Sequence, residues 1–133
     1  MQRIADTGLL KALLDKSDAH HEWAYRQFKT HAPFHTCEPV LDELAHLVQD
    51  PRLGMKLVAR GDVLLGFSLA GHVGEVLGLL EKYADRPMDL ADACIVRMTE
   101  LTDTCKVWTV DKADFRVYRR HGRQAIPCEF PQA

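Results

Sequence analysis

The chain has 133 residues, 47% hydrophobic and 27% charged, with a net charge of −2. This length predicts one domain over residues 1–133, and the balanced charge gives no overall field that would attract nucleic acid. No apolar run approaches the ~18 residues of a membrane span. The N-terminus has no signal-peptide pattern, so we expect a cytoplasmic protein without membrane contact. The four cysteines form no C-x-x-C pair, which argues against a zinc ribbon or a disulfide framework.

Apolar runs and helical spacings alternate along the chain. The first half predicts a strand in RIAD, a helix in TGLLKALLDK, a helix in HHEWAYRQFK after a Ser17 cap, a strand in PFHT, and helices in EPVLDELAHLVQ and DPRLGMKLVARG. The second half predicts a strand in DVLLGFSL, helices in HVGEVLGLLEKYAD and MDLADACIVRMTELTD, a strand in KVWTVD, a short helix in KADFRVYRR and a strand in QAIPCE. This alternation predicts an α/β fold of three layers, α/β/α, with a central parallel sheet.

The triplet Asp6-Thr7-Gly8 is the one from which aspartic proteases build their catalytic pair of carboxylates. Those enzymes need strands on both sides of the triplet, whereas here a leucine-rich helix follows at once. A haloacid-dehalogenase-like phosphatase also places an aspartate after its first strand, but it requires a second one where this chain has Gly8. Both hypotheses therefore rank low.

Acidic residues fall where a parallel sheet gathers its functional groups. Asp6 and Asp111 each end a predicted strand, and ligands bind beyond the carboxyl ends of parallel strands. Glu43 is spaced to share a helix face with Val40 and Leu47, where a carboxylate needs a partner. Asp92 begins an otherwise apolar helix.

Helix capping is the alternative interpretation of these acids. Asp6, Asp89 and Asp111 each precede a predicted helix, and Asp92 and Asp114 stand three residues after two of them, as in a loose capping box. In that case the protein would be a non-catalytic binding module. Capping does not explain Glu43, which lies in the middle of its helix.

Clustered carboxylates need a counter-charge, because like charges about 4 Å apart repel by roughly 4 kcal/mol near a protein surface. An all-oxygen ligand set favours Mg²⁺ or Mn²⁺ over zinc. Such a cation suits hydrolysis of a phosphodiester, since it activates water and neutralises phosphate charge. Thr7 and Thr109 flank the acids, and their hydroxyls could orient a carboxylate or a metal-bound water; either could equally be a simple turn or strand residue.

The sequence resembles the PIN domain, specifically the VapC-type ribonuclease toxins of toxin–antitoxin pairs. Four segments in order carry the resemblance: IADTGLLKALLDKSDAHHEWA, TCEPVLDELAHLV, PMDLADACIV and VWTVDKADF. The resemblance implies a quartet of acids that binds Mg²⁺ or Mn²⁺, formed by Asp6, Glu43, Asp92 and Asp111. It places Thr109 on the family's hydroxyl position and Asp114 on an acid that some members have. Asp89 is an alternative third ligand, one turn away.

The implied activity is metal-dependent endonucleolytic cleavage of RNA. The implied partners are an RNA substrate, a small antitoxin protein and a second copy of the chain in a homodimer. A housekeeping PIN nuclease that processes RNA is the alternative within the family. The basic segment FRVYRRHGR, residues 115–123, is interpreted either as a solvated helix end or as a patch that contacts phosphates.

Overall fold

The computed structural model describes residues 1–132 and is built around a parallel sheet. Numbered along the chain, the strands are β1 (Gln2–Ala5), β2 (Phe34–Thr36), β3 (Val63–Leu65), β4 (Cys105–Trp108), β5 (Arg119–Arg120), β6 (Gln124–Ala125) and β7 (Cys128–Glu129). The sheet has the order β3-β2-β1-β4-β7, with every neighbouring pair parallel. The short strands β5 and β6 form a separate antiparallel hairpin.

Helices fill the connections between the parallel strands and flank the sheet. They are α1 (Thr7–Leu14), α2 (His21–His31), α3 (Glu38–Val48), α4 (Pro51–Ala59), α5 (Val73–Lys82), α6 (Leu90–Glu100) and α7 (Lys112–Phe115), with a 3₁₀ turn at Leu69–Gly71. This is the predicted α/β/α arrangement. Within residues 1–132, no helix is both long and apolar enough to cross a lipid bilayer.

The core is packed on either side of β1 and β4. The Trp108 ring faces α2, where its Nε1 donates to Gln27 Oε1 at 2.8 Å and its ring lies 5.1 Å from that of Phe34. The other helix in contact with both central strands is α6, of which Ile95 and Val96 are fully buried. The chain winds outward from β1 through β2 to β3 and then crosses back to β4. The strand order therefore reverses between β1 and β4, which is where open α/β sheets bind ligands.

The helix boundaries at α3 and α4 follow the sequence signals. Pro39 lies in the first turn of α3, and the Asp50 side chain caps α4 by accepting from Arg52 N at 2.9 Å. Gly61 follows α4 with a φ of +82°, a conformation that favours glycine. The apolar face predicted for α3 is narrower than expected, since Leu47 is 54% exposed.

Three predicted boundaries are wrong, each for a local reason. Ser17 does not cap α2, because its N and Oγ donate to Asp15 and the helix begins later, at His21. The predicted helix KADFRVYRR ends at Phe115, and Arg119 already belongs to β5. The predicted strand QAIPCE divides into β6 and β7 at Pro127, which has no N–H for a strand ladder.

Candidate metal centre

The candidate centre lies at the carboxyl ends of β1 and β4, where the strand order reverses. Asp6 directly follows β1, and its backbone N–H donates to the carbonyl of Trp108, the last residue of β4, at 3.0 Å. Thr109 and Asp111 follow β4. Acids that are more than 100 positions apart in sequence thus meet at one edge of the sheet, as the sequence predicted.

Asp6 is held by a hydroxyl group rather than by a helix cap. Its side chain is 6% exposed and occupies the capping position of α1 without making a capping hydrogen bond. Thr109 Oγ1 donates to Asp6 Oδ2 at 2.7 Å and accepts from Asp111 N at 3.0 Å. Burial, together with the charges of Glu43 and Asp111, raises the pKa of Asp6 to about 6, although the Thr109 hydrogen bond lowers it. This carboxylate is therefore short of positive charge.

Asp92 is held in the same way by Tyr118. The phenol of Tyr118 donates to Asp92 Oδ2 at 2.8 Å, and Tyr118 is fully buried. Burial, followed by the charges of Asp6 and Asp89, raises the pKa of Asp92 to about 8. The sequence analysis missed Tyr118, because it lies in a segment predicted to be a basic helix. The buried aromatic residue among arginines was the available signal.

Asp92, Asp111 and Asp114 form the tightest group of acids in the described chain. One oxygen from each lies within 4.8 Å of the others, and all three residues are half-buried. Asp114, predicted only as an accessory acid, is thus a full member of this group. Its Oδ1 accepts from Arg86 Nε at 2.9 Å. Burial and the neighbouring Asp111 nevertheless raise the pKa of Asp114.

Capping and clustering are compatible in this structure. Asp89 Oδ1 accepts from Asp92 N at 2.7 Å, and Asp111 Oδ1 accepts from Asp114 N at 3.0 Å, so both are helix caps as the alternative interpretation predicted. Within residues 1–132, however, Asp111 Oδ2 accepts no hydrogen bond. Capping therefore uses one oxygen of Asp111 and leaves the other available to a ligand.

Glu43 and Asp6 lie outside the tight group of three. Glu43 is half-buried and, with Asp89, lines a cleft of about 600 Å³ whose apolar wall contains Phe67, Leu69 and Leu90. Its charge is one cause of the raised pKa of Asp6, which places it electrostatically at the centre. The predicted quartet is thus gathered at one edge, with Asp114 added and with Glu43 and Asp6 on its border.

The residues present fit a hard divalent cation. The donors are carboxylate oxygens, which Mg²⁺ and Mn²⁺ prefer. Thr109 and Tyr118 supply the hydrogen bonds that usually orient ligating carboxylates. Thr7 Oγ1, beside Asp6, is buried and has no hydrogen-bond partner in residues 1–132. Such an unpartnered hydroxyl is consistent with the predicted contact to a metal-bound water.

Gly8 shows why the acidic motif stops at Asp6. A Cβ at position 8 would lie 2.4 Å from Val110 Cγ2, so α1 approaches the turn after β4 closely only because this residue has no side chain. A second aspartate two residues after Asp6 would not fit, which removes the phosphatase hypothesis. The glycine also brings Thr7 and Thr109 to the same edge.

Comparison with known proteins supports this description at the level of the fold. No protein-family model and no curated protein matches the sequence. The structure is similar to the crystal structure of VapC20 of Mycobacterium tuberculosis, a toxin that cleaves the sarcin-ricin loop, with a TM-score of 0.68 and 19% sequence identity. The match covers 80% of this chain and 87% of the toxin. The predicted PIN-like three-layer fold is therefore confirmed.

Proposed function

We propose that the protein is a Mg²⁺- or Mn²⁺-dependent endoribonuclease. The observation that carries the proposal is the group formed by Asp92, Asp111 and Asp114, whose oxygens lie within 4.8 Å of one another beside the buried Asp6. Four carboxylates with one arginine nearby are stable together only when protonated or when bound to a cation. The fold, shared with an RNA-cleaving toxin, supports RNA as the substrate.

Asp92, Asp111 and Asp6 would hold the cation, directly or through water, and Asp114 is the further donor that the structure adds. When bound, the cation supplies an activated water and neutralises charge on the phosphate under attack. Thr109 and Tyr118 keep Asp6 and Asp92 in fixed orientations, so that each presents its second oxygen to the centre. The site is thereby organised before substrate binds.

Glu43 has two possible roles in this proposal. As a ligand it would complete the predicted quartet. As a base it would orient the attacking water and accept its proton, from the wall of the cleft that it shares with Asp89. The two roles differ in metal affinity, because Glu43→Gln weakens metal binding only if Glu43 is a ligand.

We further propose that residues 1–133 form a single nuclease domain, the toxin of a toxin–antitoxin pair that acts in the cytoplasm. The shared fold with VapC20 supports this role. Exposed apolar side chains on β3 and α5 are available to a small antitoxin or to a second copy in a homodimer, namely Leu64, Leu65, Val73 and Leu77. A small neighbouring gene whose product co-purifies with this protein and suppresses RNA cleavage would support the toxin over a housekeeping nuclease.

The direct experiment is RNA cleavage by the purified protein with Mn²⁺, with Mg²⁺ and with EDTA. We expect cleavage only with a divalent cation. Asp6→Asn and Asp111→Asn should reduce it at least about 100-fold, because an amide binds such cations poorly while keeping the side chain's shape. The matched control is Asp103→Asn, an exposed acid that precedes β4 at the opposite edge of the sheet. Equal cleavage in EDTA, or full activity in both site variants, would refute the proposal.

A further inference from the structure

Beside the acidic centre, two cations lie against one aromatic ring. Lys112 Nζ is 5.8 Å and Arg116 Cζ is 5.7 Å from the centroid of the Phe130 ring, within the range of a cation–π contact. The two cations are four residues apart, one turn, on α7 and its C-terminal cap. We refer to Lys112, Arg116 and Phe130 as the cationic shelf.

The two cations of the cationic shelf are not neutralised. Within residues 1–132, neither Lys112 nor Arg116 has a carboxylate within 4.0 Å of its charged nitrogens. Nearby cations differ, since Arg86 pairs with Asp114 and Lys106 pairs with Glu129. Arg116 is exposed and Lys112 is half-buried. Both can therefore accept an anionic ligand without first breaking an ion pair.

The cationic shelf lies at the same sheet edge as the acids. Lys112 directly follows Asp111, and Phe130 directly follows β7. The end of β7 is joined to the end of β4, because Thr109 N donates to the Glu129 carbonyl at 3.2 Å. A polymer whose phosphate sits at the acidic centre would thus meet the cationic shelf within a residue or two.

Phe130 also lines a cleft beside the shelf. This cleft, of about 380 Å³, separates the first half of α2 from the segment after β7, and its walls include His20, Trp23, Arg26, Gln27, Phe130 and Pro131. Its volume falls in the roughly 300–1,000 Å³ range of small-molecule sites. Its two carboxylates both have a cation nearby: Glu129 pairs with Lys106 at 3.1 Å, and Glu22 lies 4.0 Å from Arg26.

We propose that the cationic shelf binds a backbone phosphate next to the scissile one and that the cleft accepts an unstacked base of single-stranded RNA. The inference rests on the proposed nuclease function and names the form of its substrate. Cations that follow a backbone, beside aromatic rings on which bases stack, are the usual means of binding single strands. The opposite side of the acidic centre offers no such surface, because Glu38, Asp42, Glu43 and Asp89 line the cleft there.

The test is the salt dependence of RNA binding in EDTA, where cleavage does not interfere. Anisotropy of a labelled single-stranded RNA of about 12 nucleotides is measured over a range of salt concentrations. The double variant Lys112→Gln/Arg116→Gln should reduce the slope of log affinity against log salt by about 1.4, or ~0.7 for each lost phosphate contact. Phe130→Leu should weaken binding about tenfold through lost stacking.

The matched control is Lys29→Gln/Lys56→Gln, which removes the same charge from exposed positions elsewhere. Lys29 is a close counterpart, because it lies 5.9 Å from the ring centroid of Tyr25. This control should keep the wild-type slope. The glutamine variants change half-buried or exposed side chains, so they decide the question even if Phe130→Leu proves unstable.

An unchanged slope in the double variant, no binding of the RNA by the wild type, or shelf-dependent binding that prefers duplex RNA would each overturn the inference. Cleavage assays on the wild type with Mn²⁺ separate this result from the nuclease proposal. Cleavage with an unchanged slope removes the cationic shelf alone. Shelf-dependent binding without cleavage under any divalent cation removes the nuclease alone.

Discussion

The acidic centre and the cationic shelf are adjacent at Asp111 and Lys112, yet their side chains are held very differently. Asp6 and Asp92 are each fixed by a hydroxyl, at 2.7 Å and 2.8 Å. The shelf cations contact only the face of Phe130, and Arg116 is exposed. Rigid, poorly solvated groups suit chemistry, whereas mobile and solvated charges suit substrate capture. Changes in the two regions should therefore differ in size and in salt dependence.

Removing the hydroxyls should have the largest effect of the changes that spare the acids. Thr109→Val and Tyr118→Phe should each lower kcat/KM for RNA cleavage by about 10- to 100-fold, since each frees a ligating carboxylate from its support. Unlike the shelf variants, they should leave the salt slope of RNA binding unchanged. A wild-type cleavage rate in both variants would mean that the carboxylates need no such support.

The turn that joins the two regions can be changed through Gly8. Gly8→Ala places a methyl group 2.4 Å from Val110 Cγ2, between Thr109 and Asp111. We expect a loss of about 1–3 kcal/mol in the free energy of unfolding, as is typical of overpacking. Chemical denaturation measures it, with Gly78→Ala on α5, where an added Cβ meets nothing within 4 Å, as the control. An unchanged free energy would show that the turn adapts.

Stability against pH should distinguish the acidic centre from ordinary surface acids. The pKa of Asp6 is raised to about 6 and that of Asp92 to about 8, so the folded protein holds these protons more tightly than the unfolded chain, in which aspartates titrate near ~4. Their contribution to stability is complete below about pH 4 and is lost as the pH rises through 6 and 8. The pKa of Asp50 is lowered by Arg52, so its effect falls in the acid range instead.

Melting temperatures of the metal-free protein between pH 5 and 8 measure this loss. The wild type should lose more stability over this range than Asp92→Asn, which cannot titrate at that position. Mn²⁺ should restore more stability at the upper end of the range than at the lower end. Parallel curves for the two proteins would contradict the raised pKa of Asp92.

Glu43→Gln should have the smallest effect on the fold. Glu43 is half-buried, and no hydrogen bond or ion pair to its side chain is found in residues 1–132. Removing its charge relieves repulsion of Asp6, so the metal-free melting temperature should stay constant or rise slightly. Asp42→Gln, one position away on the exposed face, is the control. A large drop would instead reveal a structural partner for Glu43.

The sequence predicted the position of Asp6 and Asp111 because the rule behind it is topological. Parallel strands end at one edge, so an acid after each of two central strands must meet its counterpart. The register that joins Ala5 to Trp108 then brings Thr109 onto Asp6, and this contact also follows from order alone.

Contacts that depend on helix length were beyond the sequence. The segment after Asp111 was predicted as a longer helix, but α7 ends at Phe115. That early end turns Tyr118 into the core beneath Asp92, and places Asp114 among the ligands. The exposure of Leu47 likewise depends on what packs against α3, which periodicity alone does not show. The cationic shelf required the position of Phe130 after β7, a strand whose start was predicted too early.

Metal binding tests the central claim, that these carboxylates form one cation site. Titrating Mn²⁺ into the protein at neutral pH, with bound and free ion distinguished by electron paramagnetic resonance, gives affinity without any substrate. The wild type should bind Mn²⁺, Asp92→Asn/Asp111→Asn should bind at least about tenfold more weakly, and Asp103→Asn should match the wild type. Equal affinity in the double variant, or no binding by the wild type, would contradict the claim.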